Sequence, residues 1–273
     1  RFETTRSLLQ DLSFLQAEKS FQAESIKFGI EQKRTLALIG MDGSYTNLGL
    51  LLSDQCTHTI KAAVFEGTNK KIFKDRSEFS GSILKQLEDS YLYLDQFNHI
   101  RAEISGLKRI DMRSYPSEAI REALLNAVVH RDYSYSGSTL ISIFEDRIEF
   151  VSLGGLPKGI SYNDLLLGVS VPRNNHLADI FYRLHLIEAY GTGVPKIMEY
   201  YREYNLKPDI EVSDNAFKIT LPNTNYNRSA ESDFQDVFSY DEQMVLRYLT
   251  EHGNVMRKQL VEVTGFSQAK TIR

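Results

Sequence analysis

Apolar residues recur along this chain with two periods, and the changes between them outline its elements. Leu8, Leu9, Leu12, Phe14, Leu15 and Phe21 sit among polar residues, the pattern of one or two short amphipathic helices within residues 1–28. Residues 35–40 are helical or extended, Asp42-Gly43 marks a turn, and 46–53 opens with an N-cap signal and reads as a short helix. β-Branched content makes 59–67 a strand ended by Gly67. Phe79, Ile83, Leu84, Leu87, Tyr91 and Leu94 recur at helical spacing, which predicts a helix over 77–97. Residues 99–112 alternate like strands. Pro116, just inside a helix start with Ser114 and Ser117 as candidate caps, opens the helix that contains EALLNAVVH, 122–130. Two strands over 138–152 fold around Glu145-Asp146, followed by a glycine-rich loop at 153–159 and a short helix at 161–168. Helices over 175–191 and 194–205 flank the turn GTG, 191–193, and a second hairpin at 209–222 turns at Asp214-Asn215. Residues 223–239 lack apolar periodicity and read as a linker. Residues 240–273 read as two helices, a glycine-containing turn and the start of a third helix capped by Ser267.

Composition narrows this picture little. The 273 residues are 42% hydrophobic and 25% charged, ordinary for a globular chain and enough for about two domains. The formal net charge of −4 shows no global basic field, so any nucleic-acid contact must come from a local patch. The single cysteine, Cys56, cannot form an internal disulfide and reads as a small core residue, which points to a reducing, cytoplasmic setting. No stretch reaches the apolar length of a membrane helix, and no signal peptide is visible. Because the chain starts at Arg1 rather than Met, it is expected to be a fragment.

The candidate chemistry lies in the helix around 122–130. Glu122, Asn126 and His130 are four residues apart and share one stripe of the helix surface. Asn is a poor residue for a helix interior, so Asn126 asks for a reason. An ordinary solvated stripe, opposite a core face of Ile120, Leu124, Ala127 and Val128, accounts for the same spacing. His130 and Arg131 stand at the helix end, where His130 would contact a phosphate or interact favourably with the helix dipole. Gly154 and Gly155 would let the backbone approach a ligand closely, or simply connect strand to helix. Gly191 and Gly193 would offer backbone N–H groups to an anion at the helix start near Val194, or cap the preceding helix. No GxxxxGK[ST] sequence occurs, so no P-loop helicase motor is present in this chain.

EALLNAVVHRDYS, IEFVSLGGLPKG and YGTGVPKIM, in this order, resemble the GHKL nucleotide-binding fold of histidine kinases, gyrase-type ATPases and anti-sigma kinases. More closely, residues 1–222 are similar to a bacterial family of transcriptional regulators labelled RecG-related, through HRDYS, DRIEFVS, GGLPKG, RNN and GTGV. This resemblance implies an α/β (α+β) fold, a GHKL/Bergerat-like two-layer sandwich with a mixed sheet, followed by a winged-helix-type segment. It implies ATP with Mg²⁺ as ligand: Glu122 would orient or deprotonate water, and Asn126 would supply an oxygen to the metal. His130, Arg131, Gly154, Gly155, Gly191 and Gly193 would line the nucleotide. The family also implies an Alba/Schlafen-type DNA-binding domain upstream. One departure is plain: Ser152 or Leu153 stands where the GHKL pattern has an Asp that accepts from the adenine amino group, so adenine recognition would be weakened or lost.

The expected organisation is an N-terminal α/β part (1–112), a GHKL-like core (113–222), a linker (223–239) and a partial winged helix-turn-helix (240–273). In the last, Ser267, Gln268, Lys270, Thr271 and Arg273 open the helix that would enter the major groove, although the segment's net charge is only +1. The expectation is a cytoplasmic transcriptional regulator that senses a nucleotide and binds DNA, possible as a homodimer. The alternatives are an ATP-hydrolysing or anti-sigma-type kinase, and a degenerate scaffold that kept the fold without the site.

Overall fold

Five strands that alternate apolar and polar residues place one face each toward a shared core, and that face assembles the sheet. The computed structural model describes residues 2–105, 107–169, 171–188 and 193–226. The first part holds α1 (Leu15–Ala23), α2 (Ile30–Thr35), α3 (Asn47–Leu52), β1 (Ile60–Phe65), β2 (Phe73–Phe79) and α4 (Ile83–Phe97). A separate ribbon follows, β3 (Ile100–Ser105) with β4 (Lys108–Arg113), and then α5 (Ser117–Val129). The hairpin β5 (Thr139–Ile143) and β6 (Arg147–Leu153) leads to α6 (Tyr162–Leu166), α7 (Asn175–Arg183) and α8 (Gly193–Tyr200). The hairpin β7 (Asp209–Val212) and β8 (Ala216–Pro222) closes the sheet.

The sheet is mixed and six-stranded, in the order β2-β1-β5-β6-β8-β7, with β1 and β5 parallel and every other pair antiparallel. Register brings Ala62, Ile141, Phe150, Ile219 and Ile210 into one row across five strands, and all five are buried. A second row, Val64, Ile143, Ile148 and Leu221, runs beside it. Helices α4 and α5 pack against the sheet, and α8 against α5. The sheet draws strands from both sides of position 112, and residues 1–225 form one compact unit. Among the described residues no helix is long and apolar enough to cross a membrane.

The hairpins 138–152 and 209–222, the strand at 59–67 and the short helix capped by Thr46 stand where the apolar pattern puts them. Four expectations change. The helix expected over 77–97 starts at Ile83; residues 73–79 are an edge strand, with Gly81 at φ +83° turning the chain between them. Phe79 fits the helical period only because a strand residue happens to fall on it. The helix expected over 175–191 ends at Arg183, where His185 takes φ +54° and reverses the chain. The helix expected over 194–205 ends at Tyr200, followed by a single 3-10 turn, Arg202–Tyr204. Pro116 occupies the N-cap position of α5, one residue before the helix proper.

Candidate functional site

Helix α5 is buried nearly all round, because Ala119, Ile120, Ala123, Leu124, Leu125, Ala127, Val128 and Val129 face sheet and neighbouring helices. Glu122, Asn126 and His130 are half-buried, on the stripe that four-residue spacing requires. Asn126 donates through Nδ2 to the Glu122 carbonyl at 2.8 Å and to Glu122 Oε1 at 2.9 Å. Both partners are acceptors, so the amide orientation is settled by the bonds themselves. Among the described residues no group donates to Asn126 Oδ1.

Gly193, the first residue of α8, is pressed against this pair. A Cβ there would lie 2.3 Å from Glu122 Oε1 and 3.0 Å from Asn126 Nδ2. Burial pushes the Glu122 carboxyl above its ordinary range, opposed by the Asn126 hydrogen bond and by Arg121 and Lys196. The His130 imidazole is held down to about 4 by burial and by the nearby Arg173 guanidinium. It is therefore neutral near pH 7, which removes the expected charge–dipole role at the helix end.

Two hollows open on either side of Asn126, His130 and Gly193, which line both. The first, about 600 Å³ including the part open to solvent, is walled by Gly154, Gly155, Leu156, Pro157, Ile160 and other apolar residues. The second is walled by Glu122, Asp179 and Glu188 among others and carries an acidic rim. Asn126 and the glycine loop thus meet at one hollow, although 28 positions separate Asn126 from Gly154.

Gly154 and Gly155 line the first hollow, as Gly193 does, but the N–H groups of Gly154 and Gly155 are bonded within the protein itself. Gly154 has φ +100°, and its N–H donates to the Asn215 carbonyl at 2.8 Å. The Gly155 N–H donates to the Asp214 carbonyl at 3.2 Å, and a Cβ on Gly155 would stand 2.3 Å from the Ser213 carbonyl oxygen. The close approach these glycines permit is to the protein's own β7–β8 turn, and their N–H groups are already engaged. Gly191 lies outside the described residues, as do Ser267, Gln268, Lys270, Thr271 and Arg273.

Arg131 is a further correction, because it does not line either hollow. It is 1% exposed, lies over the Tyr133 ring, and donates to the Thr59 carbonyl, Thr139 Oγ1 and the Gly137 carbonyl. His58 Nδ1 is 3.2 Å from its guanidinium. The guanidinium holds the 131–139 loop to the start of β1, a buried structural role.

Apolar spacing could not reveal two residues that shape the site. Asn174 is buried and donates through Nδ2 to the Val129 and Arg131 carbonyls at 2.8 and 2.7 Å, closing the C-terminal end of α5. Its neighbour Arg173 pairs with Asp132 at 3.2 Å and donates to the Gly155 carbonyl at 2.7 Å. Residues 173–174 therefore bridge the α5 wall and the glycine-loop wall. The only hint in the sequence is the run RNN directly after a proline.

Comparison with known proteins agrees with part of this. Residues 137–221 match the family model described as "Putative ATP-dependent DNA helicase recG C-terminal". The match takes in the glycine loop and Gly193 but not Glu122 or Asn126. No curated protein matches the chain. The chain is similar in structure to the DIP2311 protein from Corynebacterium diphtheriae, with a TM-score of 0.70 at 21% identity, over 99% of this chain and 58% of that one. At that identity the likeness concerns the fold. This chain thus spans a little over half of that protein's length.

Proposed function

We propose that residues 113–222 form a GHKL-like domain that binds a nucleotide together with Mg²⁺, within a cytoplasmic transcriptional regulator whose 240–273 segment binds DNA as a winged helix. The observation that carries the nucleotide reading is the meeting of Asn126, His130, Gly193 and the 154–157 loop around one hollow with an apolar wall. Such a wall suits a planar base, and Asn126 Oδ1 is an oxygen of the kind Mg²⁺ takes. The family match over 137–221 supports an ATPase-like domain. The donor set fits a metal-bound nucleotide better than a bare triphosphate. The Gly154 and Gly155 N–H groups are engaged and the adjoining rim is acidic, so the phosphates would arrive best with their charge already offset.

Calorimetry with Mg²⁺-ATP tests this directly. The wild type binds, and Asn126→Ala weakens binding about tenfold, the loss of one charge-assisted contact. An absence of heat from a folded wild type ends the nucleotide reading. A second reading, ATP hydrolysis, is favoured by one observation. The Glu122 carboxyl is half-buried with a raised pKa beside Asn126, as a base that orients water would be. Phosphate release that disappears in Glu122→Gln supports it; binding without turnover leaves a sensor. The DNA reading rests on the helix-turn-helix pattern of 240–273 and predicts salt-dependent binding lost in Lys270→Ala/Arg273→Ala.

A further inference from the structure

The N-terminal stretch reaches the site through one buried carboxylate. Glu3 is 1% exposed. Its Oε1 accepts from the Leu177 N–H at 2.8 Å and its Oε2 from the His176 N–H at 3.3 Å. These are first-turn donors of α7, which has no side-chain cap from its own Asn174. Asn174 is turned to α5 instead. A residue 174 positions away therefore supplies the cap that the local sequence has given up.

The stretch is clipped at several points. The Leu48 N–H donates to the Glu3 carbonyl at 3.0 Å, Asn47 Nδ2 to the Phe2 carbonyl at 3.0 Å, and the Ser7 N–H to the Tyr45 carbonyl at 2.8 Å. Phe2 stacks on Tyr133, whose hydroxyl donates to the Val128 carbonyl at 2.9 Å, in the last turn of α5. Two routes thus run from residues 2–7 to the helix that carries Asn126. One passes through Glu3, the start of α7 and Asn174; the other passes through Phe2 and Tyr133. The first also reaches the glycine loop, through Arg173 and the Gly155 carbonyl.

We infer that Glu3 is a positioning residue for the hollow. Seated on α7, it fixes residues 172–177, which tie the α5 wall to the glycine-loop wall, so that seating of the N-terminal strap sets ligand affinity. The affinity part rests on the nucleotide reading; the positional part does not. Coupling of this kind is reciprocal, so a ligand in the hollow protects the strap as the strap supports the ligand.

Amide hydrogen exchange on the full chain, with no ligand added, tests the positional part. Glu3→Ala speeds exchange at His176 and Leu177 about tenfold, as loss of a cap does. It also speeds exchange at Asp132 and Gly154, on the two walls. Glu3→Gln, which keeps an acceptor oxygen, restores most of the protection and stays informative if Glu3→Ala fails to fold. Phe65→Ala, at a buried residue packed on Phe73 and Phe144 at the opposite end of the sheet, serves as a control for general destabilisation and leaves the wall amides relatively unchanged. Acceleration confined to residues 175–178, or equal acceleration in the control, overturns the inference. With Mg²⁺-ATP, Glu3→Ala weakens binding about fivefold and the ligand slows exchange at Ser7. A wild type that binds no Mg²⁺-ATP defeats the functional proposal alone, and the ligand-free exchange then decides the inference.

Discussion

The two walls of the hollow are made from different kinds of group. On α5, side chains do the work: Asn126 holds Glu122 with its Nδ2 and keeps an acceptor oxygen, while His130 is neutral. On the loop, backbone does the work, and it is already engaged: the N–H groups of Gly154 and Gly155 are bonded to the β7–β8 turn. One wall therefore has side chains free to change partners, whereas the other is fixed by the fold. The same glycine-rich composition that in other settings cradles phosphate here lets two parts of one sheet pack closely.

The largest effect that separates the walls comes from their glycines. Gly155→Ala drives a Cβ into backbone carbonyls that cannot turn aside, and costs about 3 kcal/mol in urea unfolding. Gly193→Ala meets the movable end of Glu122 instead, so its stability loss is well below that of Gly155→Ala while the Glu122–Asn126 pair is displaced. Equal losses in the two variants would erase the contrast.

Acid acts next. His58 and His130 are both held down to about 4 from an ordinary value of 6.5, so the unfolded chain binds their protons first. Stability is full above about pH 6.5 and declines as pH falls toward 4. Replacement of His130 by Gln flattens part of that decline in a pH series of thermal melts. An unchanged slope would place the neutral imidazole elsewhere than in the α5 wall.

Asn174→Ala removes the bridge and leaves two buried carbonyls unmet, a loss of about 2 kcal/mol. The smallest effect is at Glu122. Its raised pKa means that ionisation costs stability as pH rises from 4.5 through the folded value. Glu122→Gln is accordingly slightly more stable than the wild type at pH 7, and the gain disappears below about pH 4.5. A gain that persists in acid would show that packing, not charge, is responsible.

Much of this architecture is legible from local spacing, because strand alternation and helical period depend on neighbours a few residues apart. Ile219 and Leu221 alternate with Lys218 and Thr220 and face the core as alternation demands. Glu122, Asn126 and His130 share a stripe for the same reason. Spacing failed at 77–79, where Phe79 matched a helical period by chance, and at 184–188, where nothing in the apolar pattern announces the left-handed turn at His185.

What the sequence by itself determined is the set of elements and the face each one buries, since steric preference and apolar burial act on every residue where it stands. Only the tertiary structure decided that Arg131 turns inward to a ring of carbonyls, that the loop glycines accommodate the turn of the β7–β8 hairpin, and that Glu3 and Asn174 exchange capping duties between two helices. Those outcomes depend on hydrogen-bonding groups that burial strips of water and that must then find partners wherever the fold brings one near, irrespective of distance along the chain.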